Sequence, residues 1–271
     1  APLAAAAREA MERASGFCDL EYDVASGRRG KRSEHVRPLL LELFAPGRTD
    51  VDAIVTVNNA AALLLALDTV ANGRPVAISR GELVAIGGDF RVPSILARSG
   101  ASLLETGTTN KTTPADYEEA LDRGAAAILK VHPSNYRIVG YTEEVGLAEL
   151  AALAHRRGVP LLYDAGAGAP FRFLAPGLGD EPVPATSLAD GADLVCFSGD
   201  KTLGGPQAGI LLGKKPLVEA AGRNPLARAL RPDKLVLAAL AATLDLYLAG
   251  REDEVPFVRM LRAPLATLEI R

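Results

Sequence analysis

FSGDKTLGGPQAGILLG, residues 197–213, sets a lysine on a loop of small residues between two apolar runs, DLVCF (193–197) and AGILLG (208–213). Only about ten residues join the runs, and a parallel crossover with its helix takes a dozen or more. The second strand is therefore expected to run antiparallel to the first. Working back from this stretch, short apolar runs recur at AIVTV (53–57), VAIS (76–79), SLLE (102–105), AAILKV (126–131) and VPLLYD (159–164). Most of the intervals are long enough for a helix. One, TTPADYEEALDR, offers Thr113 as N-cap and Pro114 as first helical residue; another, EVGLAELAALAHRRGV, has helical apolar spacing and closes on Gly158. Such alternation predicts an α/β fold: a mainly parallel seven-stranded sheet with one antiparallel strand and helices on both faces. PFRFLAPGLGDEPVPATS (170–187) reads as a loop, and PDKLVLAALAATLDLYLAG (232–250) as one apolar helix starting at Pro232 and ending at Gly250.

Composition narrows the class. The 271 residues are 48% hydrophobic and 23% charged, and the formal charge of −3 with a pI near 5.8 advertises neither a nucleic-acid nor a membrane partner. The Ala-rich start is broken by Arg and Glu, unlike a signal peptide, and no run reaches membrane-spanning length. Cys18 and Cys196 lie far apart with no Cys/His grouping, so buried reduced thiols, a cytoplasmic location and no metal site are expected.

In an open α/β sheet, ligands gather beyond the carboxyl ends of the strands. Three features fall there. Lys201 follows DLVCF, Asp164 ends VPLLYD ahead of AGAG, and Asn58, Asn59 and Ala60 open a helix directly after AIVTV. A helix start with small residues cradles phosphate through its free amides. A Schiff-base lysine, an acid for a pyridine nitrogen and a phosphate cradle are together what pyridoxal 5′-phosphate requires, and Ser198 can add a hydroxyl to the phosphate. Taken singly, each feature is more commonly a turn, a cap or an ordinary helix start. A dinucleotide site is the rival, but no G-x-G-x-x-G follows the early strands. His132, just past AAILKV, faces either the cofactor or a structural partner; His35 and His155 read as surface or packing residues.

Longer blocks carry a resemblance. VNNAAA, ISRGELVAIGGDFRVPSIL, ETGTTNKTTPADYEEAL, LKVHPSNYRIVGYTEEV and FSGDKTLGGPQAGILLGKK with NPLARALRPDKL resemble the bacterial selenocysteine synthases, L-seryl-tRNA(Sec) selenium transferases, from about residue 20 to the last. The resemblance implies a fold-type-I pyridoxal-phosphate enzyme with Lys201 bound to the cofactor and Asp164 facing its ring nitrogen. It implies β-elimination from seryl-tRNA(Sec) through an aminoacrylyl species, with Lys201 as base, and addition of selenium from selenophosphate. Guanidinium forks suit that anion, which makes Arg28, Arg29 and Arg32 of GRRGKR and Arg228 and Arg231 of NPLARALR the candidates, against a solvated basic face. In the loop 79–90, which covers the cofactor ring in related folds, Arg80 and Glu82 are the remaining polar candidates. Family members are longer, with an N-terminal domain that grips tRNA and a further C-terminal domain. Residues 1–45 are accordingly expected to lead into the core, 46–250 to form the cofactor-binding large domain, and 251–271 to begin the C-terminal domain. A homo-oligomer is expected, at least a dimer, with a ring of dimers as the other arrangement the resemblance implies. Two other functions stay open: an ammonia-lyase or β-eliminase acting on a small amino acid or amino sugar, and a non-catalytic tRNA-binding or assembly module.

Overall fold

The computed structural model describes residues 1–30, 32–86, 90–173, 179 and 181–264. The chain opens with helix α1 (Ala5–Ser15), a small hairpin of β1 (Tyr22–Asp23) and β2 (Arg28–Arg29), and α2 (Arg37–Phe44). Strand β3 (Val51–Thr56) leads into α3 (Asn59–Ala71), and β4 (Pro75–Ser79) is followed by the short pair β5 (Ala85–Ile86) and β6 (Phe90–Arg91). Then come α4 (Val92–Arg98), β7 (Ser102–Thr106), α5 (Pro114–Asp122), β8 (Ala127–Val131), α6 (Leu147–Arg156), β9 (Leu161–Gly166) and α7 (Pro184–Ala189). Strands β10 (Leu194–Ser198) and β11 (Gly209–Lys214) close the sheet, ahead of α8 (Lys215–Arg223), α9 (Pro225–Ala229), α10 (Lys234–Leu248) and α11 (Pro256–Leu261).

All seven expected strands are present, in one sheet of order β3-β11-β10-β9-β8-β4-β7. Strands β10, β9, β8, β4 and β7 pair in parallel, while β11 lies antiparallel to both β10 and β3. The short connection after residue 197 thus has the outcome its length requires. Alternation along the strands explains why they read as unbroken apolar runs. Leu162, Leu194, Cys196 and Leu211 face the side covered by α3, α4 and α8, whereas Tyr163, Val195, Phe197 and Leu212 face α1, α2 and α10. Both faces are buried, so both parities are apolar. Helices α5 and α6 cover the far end of the second face over Ile128 and Leu161.

Local signals hold at several termini. Thr113 caps α5 in a reciprocal capping box with Asp116, and Pro114 is its first residue. Gly158, at φ +67°, follows the end of α6. Three expectations need correction. The long apolar helix begins at Lys234, because the Asp233 carboxylate accepts the Val236 amide and leaves Pro232 outside. The stretch 170–187 is not all loop, since Pro184 starts α7; its residues 174–178 and 180 lie outside the described residues. Cys18 is exposed, and only Cys196 is buried. His155 pairs with Asp193 at 3.0 Å, in keeping with a packing role. No helix of the described residues is long and apolar enough to cross a membrane.

Candidate active site

The hairpin that carries Lys201 is tied down at both ends. Gly199 N–H donates to Ala208 C=O at 2.8 Å, Gly204 N–H to Lys201 C=O at 3.0 Å, and the Thr202 hydroxyl to Ala167 C=O at 3.0 Å. Leu203 is fully buried and its carbonyl accepts the Tyr247 hydroxyl from α10. The lysine backbone is therefore fixed while its side chain stays exposed and, among the described residues, makes no ion pair. A cation so placed can react rather than brace the loop.

Asp164, on the neighbouring β9, is 4% exposed. Burial pushes its carboxyl pKa up; hydrogen bonds from Asn59 and the Gly166 amide, the Lys201 charge and the Cys196 thiol oppose that rise. Asn59 Nδ2 donates to Asp164 Oδ1 at 2.8 Å, and Gly166 N–H to the same oxygen at 3.0 Å. Across the sheet, Cys196 of β10 stands in register with Asp164.

The start of α3 completes this end of the sheet. Asn58 is its N-cap, its side chain accepting the Ala61 amide at 2.9 Å, and the Ala62 amide bonds the Asn58 carbonyl. Among the described residues, the amides of Asn59 and Ala60 have no partner, so two first-turn donors and the helix dipole remain for an anion. Sequence reasoning assigned Asn58 and Asn59 jointly to the cradle. The structure uses the Asn58 side chain as a cap and turns the Asn59 side chain onto Asp164. Gly209 lets β11 pass this turn closely: a Cβ there would stand 2.0 Å from the Asn58 carbonyl oxygen. Ser198 is buried at the end of β10, three residues before the lysine. His132 donates its amide to the Asp164 carbonyl at 2.9 Å, and burial lowers the pKa of its half-buried ring.

Arg80 and Glu82 both have ion-pair partners. Arg80 pairs with Glu105 at 2.8 Å on the surface, while buried Glu82 holds Lys130 at 2.8 Å and the Val131 amide at 2.9 Å. Residues 87–89 of that loop lie outside the described residues.

The two arginine blocks, about two hundred residues apart, meet. Val57 N–H donates to Leu230 C=O at 2.8 Å, drawing the second block to the start of α3, and Arg32 Nη1 donates to Pro232 C=O at 2.9 Å. Arg29, Arg32, Arg228 and Arg231 line one cavity of 860 Å³; Arg28, exposed on β2, is not among the lining residues. Sequence reasoning missed Glu21 in that cavity, which pairs with Arg29 and Arg32 at 2.8 Å each and with Arg231 at 3.5 Å. Hydrogen bonds from Arg32 and Arg29 take its pKa down to about 2. Its signal in the sequence is an acid shortly ahead of a run of basic residues.

Comparison with known proteins places this geometry. The family model described as L-seryl-tRNA selenium transferase matches residues 1–271. The chain belongs to that family. It is 52% identical over 255 residues to the L-seryl-tRNA(Sec) selenium transferase of Methylocella silvestris, covering 92% of this chain and 53% of the relative. It is 54% identical over 242 residues to the enzyme of that name from Rhizobium meliloti, covering 89% of this chain and 50% of the relative. The chain thus spans about half the length of the curated relatives it matches. Among solved structures, a D-glucosaminate-6-phosphate ammonia-lyase superposes with a TM-score of 0.70 at 21% identity, over 92% of this chain and 64% of that one. That likeness concerns the fold, which is the fold-type-I architecture of pyridoxal-phosphate enzymes. The residues gathered at this end of the sheet fit such a cofactor on structural grounds: a fixed but exposed lysine, a buried carboxylate with donors around it, and a helix start with two amides that have no partner among the described residues.

Proposed function

We propose that the chain is the cofactor-binding core of a cytoplasmic pyridoxal-phosphate enzyme that converts seryl-tRNA(Sec) to selenocysteinyl-tRNA(Sec) with selenophosphate as selenium donor. The observation that carries this reading is the gathering of Lys201, just past the end of β10, and Asp164, near the end of the adjacent β9, beside the α3 amide cradle. The cofactor, when bound, supplies an electron sink for the carbanion at serine Cα. The chain supplies the rest. Asp164 would hold a proton on the cofactor's ring nitrogen, and the Asn59 and Ala60 amides with Ser198 would hold its phosphate. Lys201 Nζ would hold its aldehyde carbon until the serine amine displaces it and, once freed as an amine, would take the α-proton. His132 bounds the site beside Asp164. Arg228 and Arg231, with Arg29 and Arg32, receive the selenium donor, whose charge and oxygens suit planar guanidinium forks. Residues 46–250 carry the cofactor chemistry, with Arg29 and Arg32 joining them at the donor site, within a homo-oligomer, and parts of the longer relatives outside the matched region contact the tRNA.

The test is direct. Protein loaded with pyridoxal 5′-phosphate is incubated with seryl-tRNA(Sec) and selenophosphate, and separately with free serine. Selenocysteinyl-tRNA(Sec) formed by the chain joined to the tRNA-contacting parts of a longer relative, and absent with Lys201→Ala, supports the proposal. Pyruvate from free serine, without any tRNA product, would overturn it in favour of a small-molecule eliminase.

A further inference from the structure

The carboxylate of Asp164 faces a physical problem that its neighbours address. Among the charged and titratable groups around it, Lys201 favours the anion, while half-buried His132 and the Cys196 thiol carry no charge that would do so when neutral. Burial favours the protonated acid, and a protonated acid cannot keep a proton on a pyridine nitrogen. Neutral donors shift the balance back. Asn59 Nδ2 lies 2.8 Å from Asp164 Oδ1, and Cys196 occupies the register position opposite, where its buried thiol acts to lower the carboxyl's pKa. Asn59 makes no better use of its amide: its Oδ1 is buried without a partner among the described residues. Such an orphan acceptor is costly, and hydrogen bonding to Asp164 is the one interaction the side chain makes in return.

We propose that Asn59 and Cys196 are positioning residues that hold Asp164 as the carboxylate a cofactor's pyridine nitrogen requires. The inference rests on the reading of Asp164 as the ring-nitrogen partner. Asn59 is the larger contributor, because an amide N–H is a stronger donor than a thiol. Neither residue need touch the cofactor ring through its side chain.

The experiment titrates cofactor-free protein with pyridoxal 5′-phosphate and with its 1-deaza analogue, which keeps aldehyde and phosphate but has C–H in place of the ring nitrogen. Dissociation constants are read from the visible absorbance of each bound form. Asn59→Ala is expected to weaken pyridoxal 5′-phosphate about tenfold, the scale of one hydrogen bond to a charged group, and to leave the deaza analogue within about twofold. Cys196→Ala should act in the same direction by about threefold, as befits a weaker donor. Asn59→Asp keeps the shape of the side chain but sets a second carboxylate against Asp164, so it should lose at least as much selectivity without relying on a truncated variant to fold. Equal weakening of both ligands, or of neither, in the Asn59 variants overturns the inference. Asp164→Asn separates the two levels. If it leaves the wild-type preference for the pyridine over the deaza ring intact, the parent reading of Asp164 fails; if it erases that preference while Asn59→Ala and Asn59→Asp do not, the positioning inference alone fails.

Discussion

Two carboxylates in this molecule, Asp164 and Glu21, sit among cationic groups and titrate in opposite directions. Asp164 is buried beneath the strand ends with one lysine in electrostatic reach, and desolvation carries its pKa up. Glu21 lies at the rim of the arginine cavity, where hydrogen bonds from Arg32 and Arg29 take it down to about 2. The difference lies in what surrounds each charge. In the open cavity, water still solvates the carboxylate and charge-assisted hydrogen bonds decide; in the interior, the loss of water outweighs the neutral donors and one cation at a distance. The buried site is therefore suited to a ligand that brings its own positive charge, such as a pyridinium. The open site presents guanidinium groups already oriented around an oxyanion, which suits an anion that must enter and leave.

The largest effect belongs to the buried side of this contrast. Lys201→Ala should abolish the imine absorbance band of the cofactor-loaded protein, and an unchanged spectrum would refute the assignment. Asp164→Asn should weaken the cofactor while stabilising the cofactor-free protein at neutral pH. The sign follows from linkage: a carboxyl with a raised folded pKa contributes stability below its ordinary pKa and loses it as pH rises through the folded value. Removing the ionisation should raise the neutral-pH melting temperature and flatten its decline with pH. A lower melting temperature would show that the anion is already well solvated by its donors.

Next in size is a change that leaves both charges in place. Gly209→Ala adds a methyl group 2.0 Å from the Asn58 carbonyl oxygen, so β11 or the start of α3 must move. A destabilisation of about 1–3 kcal/mol is expected from such overpacking. Weaker cofactor binding should accompany it, because the displaced turn carries both the phosphate amides and Asn59. Calorimetry of the cofactor-free and loaded proteins separates the two effects.

The open side should respond differently. Replacing Arg228 and Arg231 together by Ala should weaken binding of selenophosphate, or of phosphate as its stand-in, about tenfold or more, and leave the cofactor spectrum unchanged. Salt should weaken the wild-type anion affinity markedly, because these side chains are screened. The cofactor preference tested through Asn59 should be far less sensitive to salt. Similar salt dependence at both places would erase the distinction between them.

How much of this was legible beforehand follows the same division. The strands could be read because burial on both faces makes every position of LLYDAG or LVCFS small or apolar apart from the site acid and a terminal serine. The β10–β11 reversal could be read from loop length alone. Lys201 and Asp164 were accessible through their place at strand ends, which chain order specifies. The role of Asn59 was not, because its side-chain direction depends on how α3 packs beside β9, more than a hundred residues later. Alternation put Cys196 on the same face as Leu194, yet its pairing with Asp164 depends on the β9/β10 register, which has a shift beside Cys196. The two arginine blocks were visible as charge runs, but their convergence required the Val57–Leu230 and Arg32–Pro232 contacts. Glu21 escaped notice because one acid beside a basic run ordinarily reads as local neutralisation.

Glu21 also supplies the smallest and most discriminating prediction. Its folded pKa lies below that of an ordinary glutamate, so its stabilising contribution is complete above the usual carboxylate range and is lost as pH falls through about 2. Unfolding followed between pH 5 and pH 2 should therefore show a modest acid-side loss that Glu21→Gln removes. The same variant should act on the anion site in the opposite sense. With its carboxylate neutralised, Arg29, Arg32 and Arg231 lose their internal partner, and phosphate should bind a few-fold more tightly at pH 7. Weaker phosphate binding by Glu21→Gln would mean that Glu21 serves to hold the guanidinium groups in position rather than to occupy the place of an incoming anion.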